Sequence, residues 1–288
     1  MIAALPFPDI DPVIFSIGGF SLRWYALAYI AGIALGWLLI AALLKRERLW
    51  NGPPPMETAK LEDLLTYIVV GVIAGGRLGY VLFYKPGYYA QNPLEIPMLW
   101  TGGMSFHGGF LGVVLAVWLF SRRHDVPLGP LADLIALAAT PAILLVRLAN
   151  FVNGELWGRP TDVPWAVLFP AAPTTGCPDP SAICGRHPSQ LYEAGLEGLL
   201  LGALLLLLAL GFGALKRPWT LTAVFFAGYG LARFAVEFVR QPDAQFAGPD
   251  NPLGWRLDFG DWGLTMGQLL SLPMILAGLA LLIALRRR

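Results

Sequence analysis

Seven apolar stretches, each long enough to cross a lipid bilayer, constrain this chain more than any other feature. They fall near 22–44, 64–84, 103–120, 131–151, 189–211, 219–239 and 266–285, and a helix spanning a ~30 Å hydrocarbon layer needs about 20 residues. Lipid offers no hydrogen bonds, so every backbone N–H and C=O must be satisfied within the protein, and helices are the expected form. The expected fold is an all-α integral membrane bundle of about seven transmembrane helices, read as a single transmembrane domain over 1–288. Composition agrees, since 56% hydrophobic and 14% charged residues are far from the balance of an ordinary water-soluble domain.

The placement of Lys and Arg sets the expected orientation, because basic residues near span ends stay cytoplasmic. Lys45, Arg46, Arg48 and Lys60 follow the first span, Arg122 and Arg123 the third, Lys216 and Arg217 the fifth, and Arg286, Arg287 and Arg288 end the chain. The alternate loops carry only Lys85, Arg159, Arg186, Arg240 and Arg256. This predicts the N-terminus outside and the C-terminus in the cytoplasm. The first twenty residues hold Asp9 and Asp11 but no basic residue, so they lack the charged start of a signal peptide and are expected to persist as a surface segment. A net charge of +1 gives no support to nucleic-acid binding, and topology alone explains the basic clusters. Two long segments, 151–188 and 240–265, are expected outside the cytoplasm, and long irregular segments of this kind are usually functional.

Ionisable groups within a membrane cost at least ~2.5–3.5 kcal/mol on insertion scales, so each one marks a candidate site. The second span carries Arg77, Tyr80 and Tyr84 on one face; the third starts at GGMSFHGG with His107; the fourth ends in Arg147, Asn150, Asn153 and Glu155. The fifth opens on His187, Gln190, Glu193 and Glu197, and the sixth carries Tyr229, Arg233, Glu237 and Arg240 at helical spacing. All fall in the outer half of their spans. Simpler roles stand beside the functional ones. Arg233 and Glu237 at i,i+4 fit mutual neutralisation, Arg77 fits snorkelling to the interface, Glu193 and Glu197 fit helix-end or packing residues, and Tyr25 fits an interfacial aromatic belt. Gly108 and Gly109, after His107, fit close backbone approach to a ligand or a helix.

Several arginines with Asn and accessible glycines make an anion site, and a guanidinium grips phosphate in bidentate fashion. At this depth the available anion is a phospholipid head group, with a nearby His or Glu as general base. No GxSxG elbow, HExxH motif or P-loop occurs. The residues alone therefore point to a phospholipid-handling membrane enzyme, with a transporter or lipid-binding protein as the rival. Confinement of the polar residues to the outer half weighs against transport, which favours polar groups along the full depth. Cys177 and Cys184 share an external loop in which a disulfide is permitted. Six residues separate them, so a small structural ring and two free thiols are both open, while the spacing argues against a metal site.

The run RLANFVNGELWGR at 147–159 resembles the signature of the prolipoprotein diacylglyceryl transferases. RWYALAY at 23–29, GRLGYVLFY at 76–84, GGMSFHGG at 102–109, HPSQLYEA at 187–194 and RFAVEFVRQPD at 233–243 also resemble family segments, in the family's order, and together cover nearly the whole chain. Val146, Phe110 and Ala26 stand where the family pattern usually has other residues, two of them glycines, which bears on pocket shape rather than on the polar side chains. The resemblance implies transfer of a diacylglyceryl group from phosphatidylglycerol to the thiol of a lipobox cysteine in a preprolipoprotein, forming a thioether and releasing glycerol phosphate. For such a reaction Arg147 and Arg233 are the expected phosphate clamp, and His107, then Glu155, the expected base. Asn150 and Tyr25 would orient the phosphate, Asn153, Arg77, Gly108 and Gly109 would line the lipid site, Gly158 would permit close backbone approach, and Glu237 would hold Arg233. No metal or organic cofactor is expected.

Overall fold

The computed structural model describes residues 4–179, 181–242, 246–248 and 251–287. Asp243 of the sixth motif, Pro180 of the cysteine ring and Arg288 of the basic C-terminus lie outside the described residues, as does part of the 240–265 segment. The chain divides into two compact units, Met1–Leu38 with Ile135–Arg288, and Leu39–Leu134.

The helices in order are α1 (Trp24–Leu44), α2 (Leu61–Phe83), α3 (Pro86–Gln91), α4 (Phe106–Arg123), α5 (Leu128–Val152), α6 (Ser189–Glu193), α7 (Leu201–Gly211), α8 (Thr220–Val236) and α9 (Met266–Arg286), with a π-helical stretch, Ala194–Leu200, joining α6 to α7. Among the described residues five helices are long and apolar enough to cross a membrane: Trp24–Leu44, Thr58–Phe83, Leu128–Val152, Ser189–Gly211 and Met266–Arg286. The other two expected spans fall on α4 and α8, of 18 and 17 residues, or about 26 Å each at 1.5 Å per residue. Large apolar side chains such as Ile30, Phe83, Leu119, Leu199 and Leu276 are exposed, the arrangement of a protein whose solvent is hydrocarbon. The protein is a helical, multi-pass membrane protein.

The larger unit also carries three small sheets that the all-helical expectation did not include. Strand β1 (Leu5–Pro6) pairs in parallel with β4 (Val167–Leu168), β2 (Val13–Ile17) forms a hairpin with β3 (Phe20–Arg23), and β5 (Trp255–Asp258) forms one with β6 (Gly263–Thr265). VIFSI-GG-FSLR has the short turn and β-branched, aromatic flanks of a hairpin. Phe7, Phe151, Trp157 and Phe169 cluster around Val167 and Ala172, with Phe7 5.5 Å from Phe151 and 5.3 Å from Phe169 between ring centres. This aromatic knot fixes the signature segment where the chain leaves α5. Helix α9 starts with a capping box, Thr265 and Gln268 each satisfying the other's backbone N–H.

The smaller unit is built on α2 against α4. Gly71, Gly75 and Gly79 on α2 face Gly108 and Gly112 on α4. Small residues four apart let helix backbones approach closely in lipid.

Candidate functional site

In the larger unit three arginines converge on three glutamates. Arg147 of α5 reaches Glu193 of α6 at 3.1 Å and Glu197 at 3.5 Å. Arg233 of α8 lies 2.6 Å from Glu237 and 3.6 Å from Glu193, and Arg240 lies 2.9 Å from Glu193. Glu193 thus touches all three cations. The two α6–α7 carboxylates are fully enclosed while the Arg147, Arg233 and Arg240 side chains keep 18%, 18% and 12% of their surface exposed. Arg147 meets its two carboxylates through both terminal nitrogens, while Arg233 and Arg240 meet theirs through Nη1. Three positive and three negative groups neutralise one another in a low-dielectric setting, where an unpaired charge would be strongly destabilising.

Glu193 and Glu197 read from sequence as helix-end or packing residues. In the structure both are fully buried and carry ion pairs as well: Glu193 meets all three arginines and Glu197 meets Arg147. Arg240 shares the Tyr229, Arg233 and Glu237 face by its spacing but was not among the expected site residues; the structure brings it to Glu193 from beyond the end of α8.

The signature segment forms a second, adjoining layer of contacts. Asn150 and Asn153 both donate side-chain N–H groups to Glu155 Oε1, at 2.8 and 3.3 Å. The amide of Gln190 donates to the Glu155 carbonyl and Ser189 Oγ to the Leu156 carbonyl. Gly158 N–H donates to His187 O at 2.8 Å, and Arg159 N–H to Val239 O at 2.8 Å. A Cβ at Gly158 would stand 2.6 Å from both His187 Cβ and Val239 O. The glycine is therefore required by three chain segments crossing there. The close backbone approach expected at Gly158 is made by the protein's own chain, at His187 and Val239. Tyr25 hydroxyl lies 3.3 Å from that of Tyr29, and Tyr29 is close enough to Arg147 and Glu155 to feel their charges. Tyr29, four residues on and on the same helix face, is the partner that the sequence reading missed.

Outside the spans, burial lowers the pKa of His187, whose Nδ1 lies 3.1 Å from the Tyr192 hydroxyl, and burial likewise lowers that of Arg186. Arg186 is fully buried and donates to the carbonyls of Gly158, Pro173 and Thr175 and to Gln241 Oε1. Cys177 and Cys184 are joined, with Cα atoms 5.7 Å apart, closing a ring that begins two residues after Thr175.

The smaller unit holds the remaining expected residues. Arg77 is 3% exposed and donates to the carbonyls of Glu95, Ile96, Gly102 and Gly103, with its guanidinium 5.1 Å from the Tyr89 ring. Expected among the lipid-binding residues, it instead spends its donors on the 95–103 backbone, so no fork is left for phosphate. Of the two partners expected for Gly108, a ligand or a helix, the structure shows the helix: a Cβ there would overlap the Gly75 carbonyl. Gly109 has only Val72 O within 4 Å, at 3.7 Å, and packing does not require it. His107, second residue of α4, is exposed, with the Phe106 ring edge-on at 5.7 Å.

A family model for prolipoprotein diacylglyceryl transferase matches residues 12–284. The chain is similar to proteins named phosphatidylglycerol–prolipoprotein diacylglyceryl transferase. That of Ruegeria pomeroyi is 61% identical over 97% of this chain and 96% of its own. That of Roseobacter denitrificans is 58% identical over 98% of each chain. A more distant relative, from Nitrobacter winogradskyi, is 49% identical over 99% of this chain and 91% of its own. The chain belongs to the prolipoprotein diacylglyceryl transferase family.

Proposed function

We propose that this protein transfers the sn-1,2-diacylglyceryl group of phosphatidylglycerol to the lipobox cysteine thiol of a preprolipoprotein, and that the Arg147–Arg233–Arg240 cluster binds the phosphate. In the reaction a C–S bond forms at the glyceryl carbon, the C–O bond to phosphate breaks, glycerol phosphate leaves, and the thiol proton passes to a base. The leaving phosphate gains negative charge as the C–O bond lengthens. Fixed cations aimed at developing charge stabilise a transition state more than a ground state, and removing one such donor typically costs about 100- to 1,000-fold in rate.

The observation that carries this reading is the asymmetry of burial within the cluster: carboxylates fully enclosed, guanidinium groups partly open. Glutamates on the enclosed side fix each arginine's rotamer and keep its charge tolerable in the bilayer, and the open side is left for one anionic group. Glu237 holds Arg233, and Asn150 and Asn153 hold Glu155, which orders the signature turn. For the base we favour His107 on residue type and exposure; a thiol with pKa near 8.5 gains from a group that makes thiolate. Glu155 is the alternative, although two amides already occupy its Oε1. Tyr25 would orient the phosphate through its pairing with Tyr29.

The same reading includes seven spans, an external N-terminus and a cytoplasmic C-terminus in a bacterial inner membrane, with the reacting groups towards the extracytoplasmic side. The one-sided distribution of Lys and Arg supports it. Incubating purified protein with phosphatidylglycerol and a lipobox peptide should add a diacylglyceryl mass to the peptide, and the gain should vanish with a Cys-to-Ser peptide or with Arg147→Ala. Lipid binding without any mass gain would leave a lipid-binding protein in place of an enzyme.

A further inference from the structure

The arginine cluster has a neighbour that the reaction described above does not use. A cleft of about 210 Å³ is lined by Arg159, Glu237, Phe238, Trp255, Trp262 and Gln268, among others. Glu237 belongs to both places: its Oε2 pairs with Arg233 at 2.6 Å, and its Oε1 accepts from Thr265 Oγ1 at 3.0 Å. A phosphate held by Arg233 therefore lies one side chain away from the cleft.

We propose that this cleft receives the glycerol end of the phosphatidylglycerol head group and selects for a neutral polyol there, a proposal that rests on the reaction proposed above. Size comes first. Pockets for drug-sized ligands run to ~300–1,000 Å³, so this cleft suits a few heavy atoms and not an acyl chain or a folded peptide. Its chemistry is that of a polyol site. Trp255 and Trp262 offer apolar surface to C–H groups, while two carboxylates (Glu237 and Asp261), a guanidinium (Arg159) and an amide (Gln268) offer acceptors and donors to adjacent hydroxyls. The walls are held in place. Asn251 Oδ1 accepts from Trp255 N–H at 2.9 Å, its Nδ2 donates to Trp255 O at 2.8 Å, and Trp262 stacks on Phe259 at 4.4 Å. Arg159 is fixed by donating to the Arg240 and Leu253 carbonyls at 3.0 and 3.2 Å, and its Nη1 has no partner among the described residues. Aromatic walls beside a carboxylate also suit an ammonium group. The charges here balance without one: Arg233 neutralises Glu237, and the Arg159 cation shares the cleft with the second carboxylate, Asp261.

The test is a comparison of kcat/KM for thioether formation on one lipobox peptide, using the full-length protein in detergent with three lipids of identical acyl chains. Phosphatidylglycerol carries the hydroxyls, phosphatidylethanol keeps the phosphodiester charge without them, and phosphatidylethanolamine carries an ammonium. A site built to hydrogen-bond hydroxyls rejects the analogue lacking them strongly, and wild type should prefer phosphatidylglycerol to phosphatidylethanol by about 100-fold or more. Trp255→Ala should bring that ratio close to one, and Trp255→Phe, which keeps a flat face, should restore most of it. Equal wild-type rates on phosphatidylglycerol and phosphatidylethanol would overturn the proposal. So would turnover of phosphatidylethanolamine as fast as phosphatidylglycerol, or a ratio unmoved by Trp255→Ala. Failure of wild type to form any thioether from phosphatidylglycerol would instead overturn the reaction itself.

Discussion

Arginine is buried in two different ways in this molecule. Arg147, Arg233 and Arg240 face carboxylates and keep part of their surface open. Arg77 and Arg186, at 3% and 0% exposure, face almost only backbone carbonyls, and of Arg186 only Nε lacks a partner among the described residues. A guanidinium ringed by carbonyls of its own loops has nothing to exchange with a ligand unless those loops unravel. One leaning on an enclosed carboxylate can accept an anion on its other edge without losing its support. The lesson is that burial alone does not mark a functional arginine; the kind of acceptor and the open edge do.

The largest expected effect separates the two classes directly. Arg147→Lys keeps the charge but not the fork, and should lower kcat/KM by about 100- to 1,000-fold with little change in thermal unfolding; full activity would break the comparison at its centre. Arg77→Met and Arg186→Met should do the reverse, losing about 2–4 kcal/mol of stability by stranding several carbonyls while whatever folds turns over at the wild-type rate. The glycines sharpen the same division. Gly108→Ala should destabilise the α2–α4 contact by about 2–3 kcal/mol through overpacking, and Gly109→Ala should be close to neutral in the same unfolding assay. Opening Cys177–Cys184 with reductant should cost about 2.5 kcal/mol, by the entropy of a short closed loop, lowering the melting temperature without abolishing turnover.

The smallest effect is on pH. Burial lowers the His187 pKa in the folded chain, so on acidification the unfolded chain takes up the proton first, near pH 6.5. The unfolded state then binds more protons, and stability should fall as pH drops below about 6.5 and be flat above it for this group. His187→Gln should flatten that limb of the stability profile; an unchanged limb would assign it to another residue.

What could be read from the sequence follows the same physical divide. Apolar length announced Trp24–Leu44, Thr58–Phe83, Leu128–Val152, Ser189–Gly211 and Met266–Arg286 directly, because hydrocarbon thickness imposes it. Arg147, Arg233 and Glu237 stood out because charge in a membrane demands a partner, and the i,i+4 spacing supplied one. Arg186 gave no such signal: its acceptors are carbonyls from residues 158, 173 and 175, and a carbonyl is present at every position of every chain. Gly108 was legible as a point of close approach, but its partner lies on another helix, in the stripe Gly71, Gly75, Gly79 at four-residue spacing, and nothing local in the sequence pairs the two helices. Glu193 and Glu197 looked ordinary because a glutamate near a helix start usually is ordinary. The hairpins β2–β3 and β5–β6 were masked by the strength of the helical signal around them.

The π-helical stretch Ala194–Leu200 has one more consequence, for how this gene can tolerate insertion and deletion. Such a stretch absorbs one residue beyond the α-helical turn, so the chain above it keeps its phase with Leu201–Gly211 below. Loss of a single codon there would let the helix close up as regular α-helix with Glu193 still towards the arginines and Gly202 still set against Thr140, because the residue lost is the one the wider turn takes up. The same loss within Leu201–Gly211 has no such slack and would turn everything on one side by about 100° relative to the other. A one-residue change of length is absorbed in the first place and disruptive in the second.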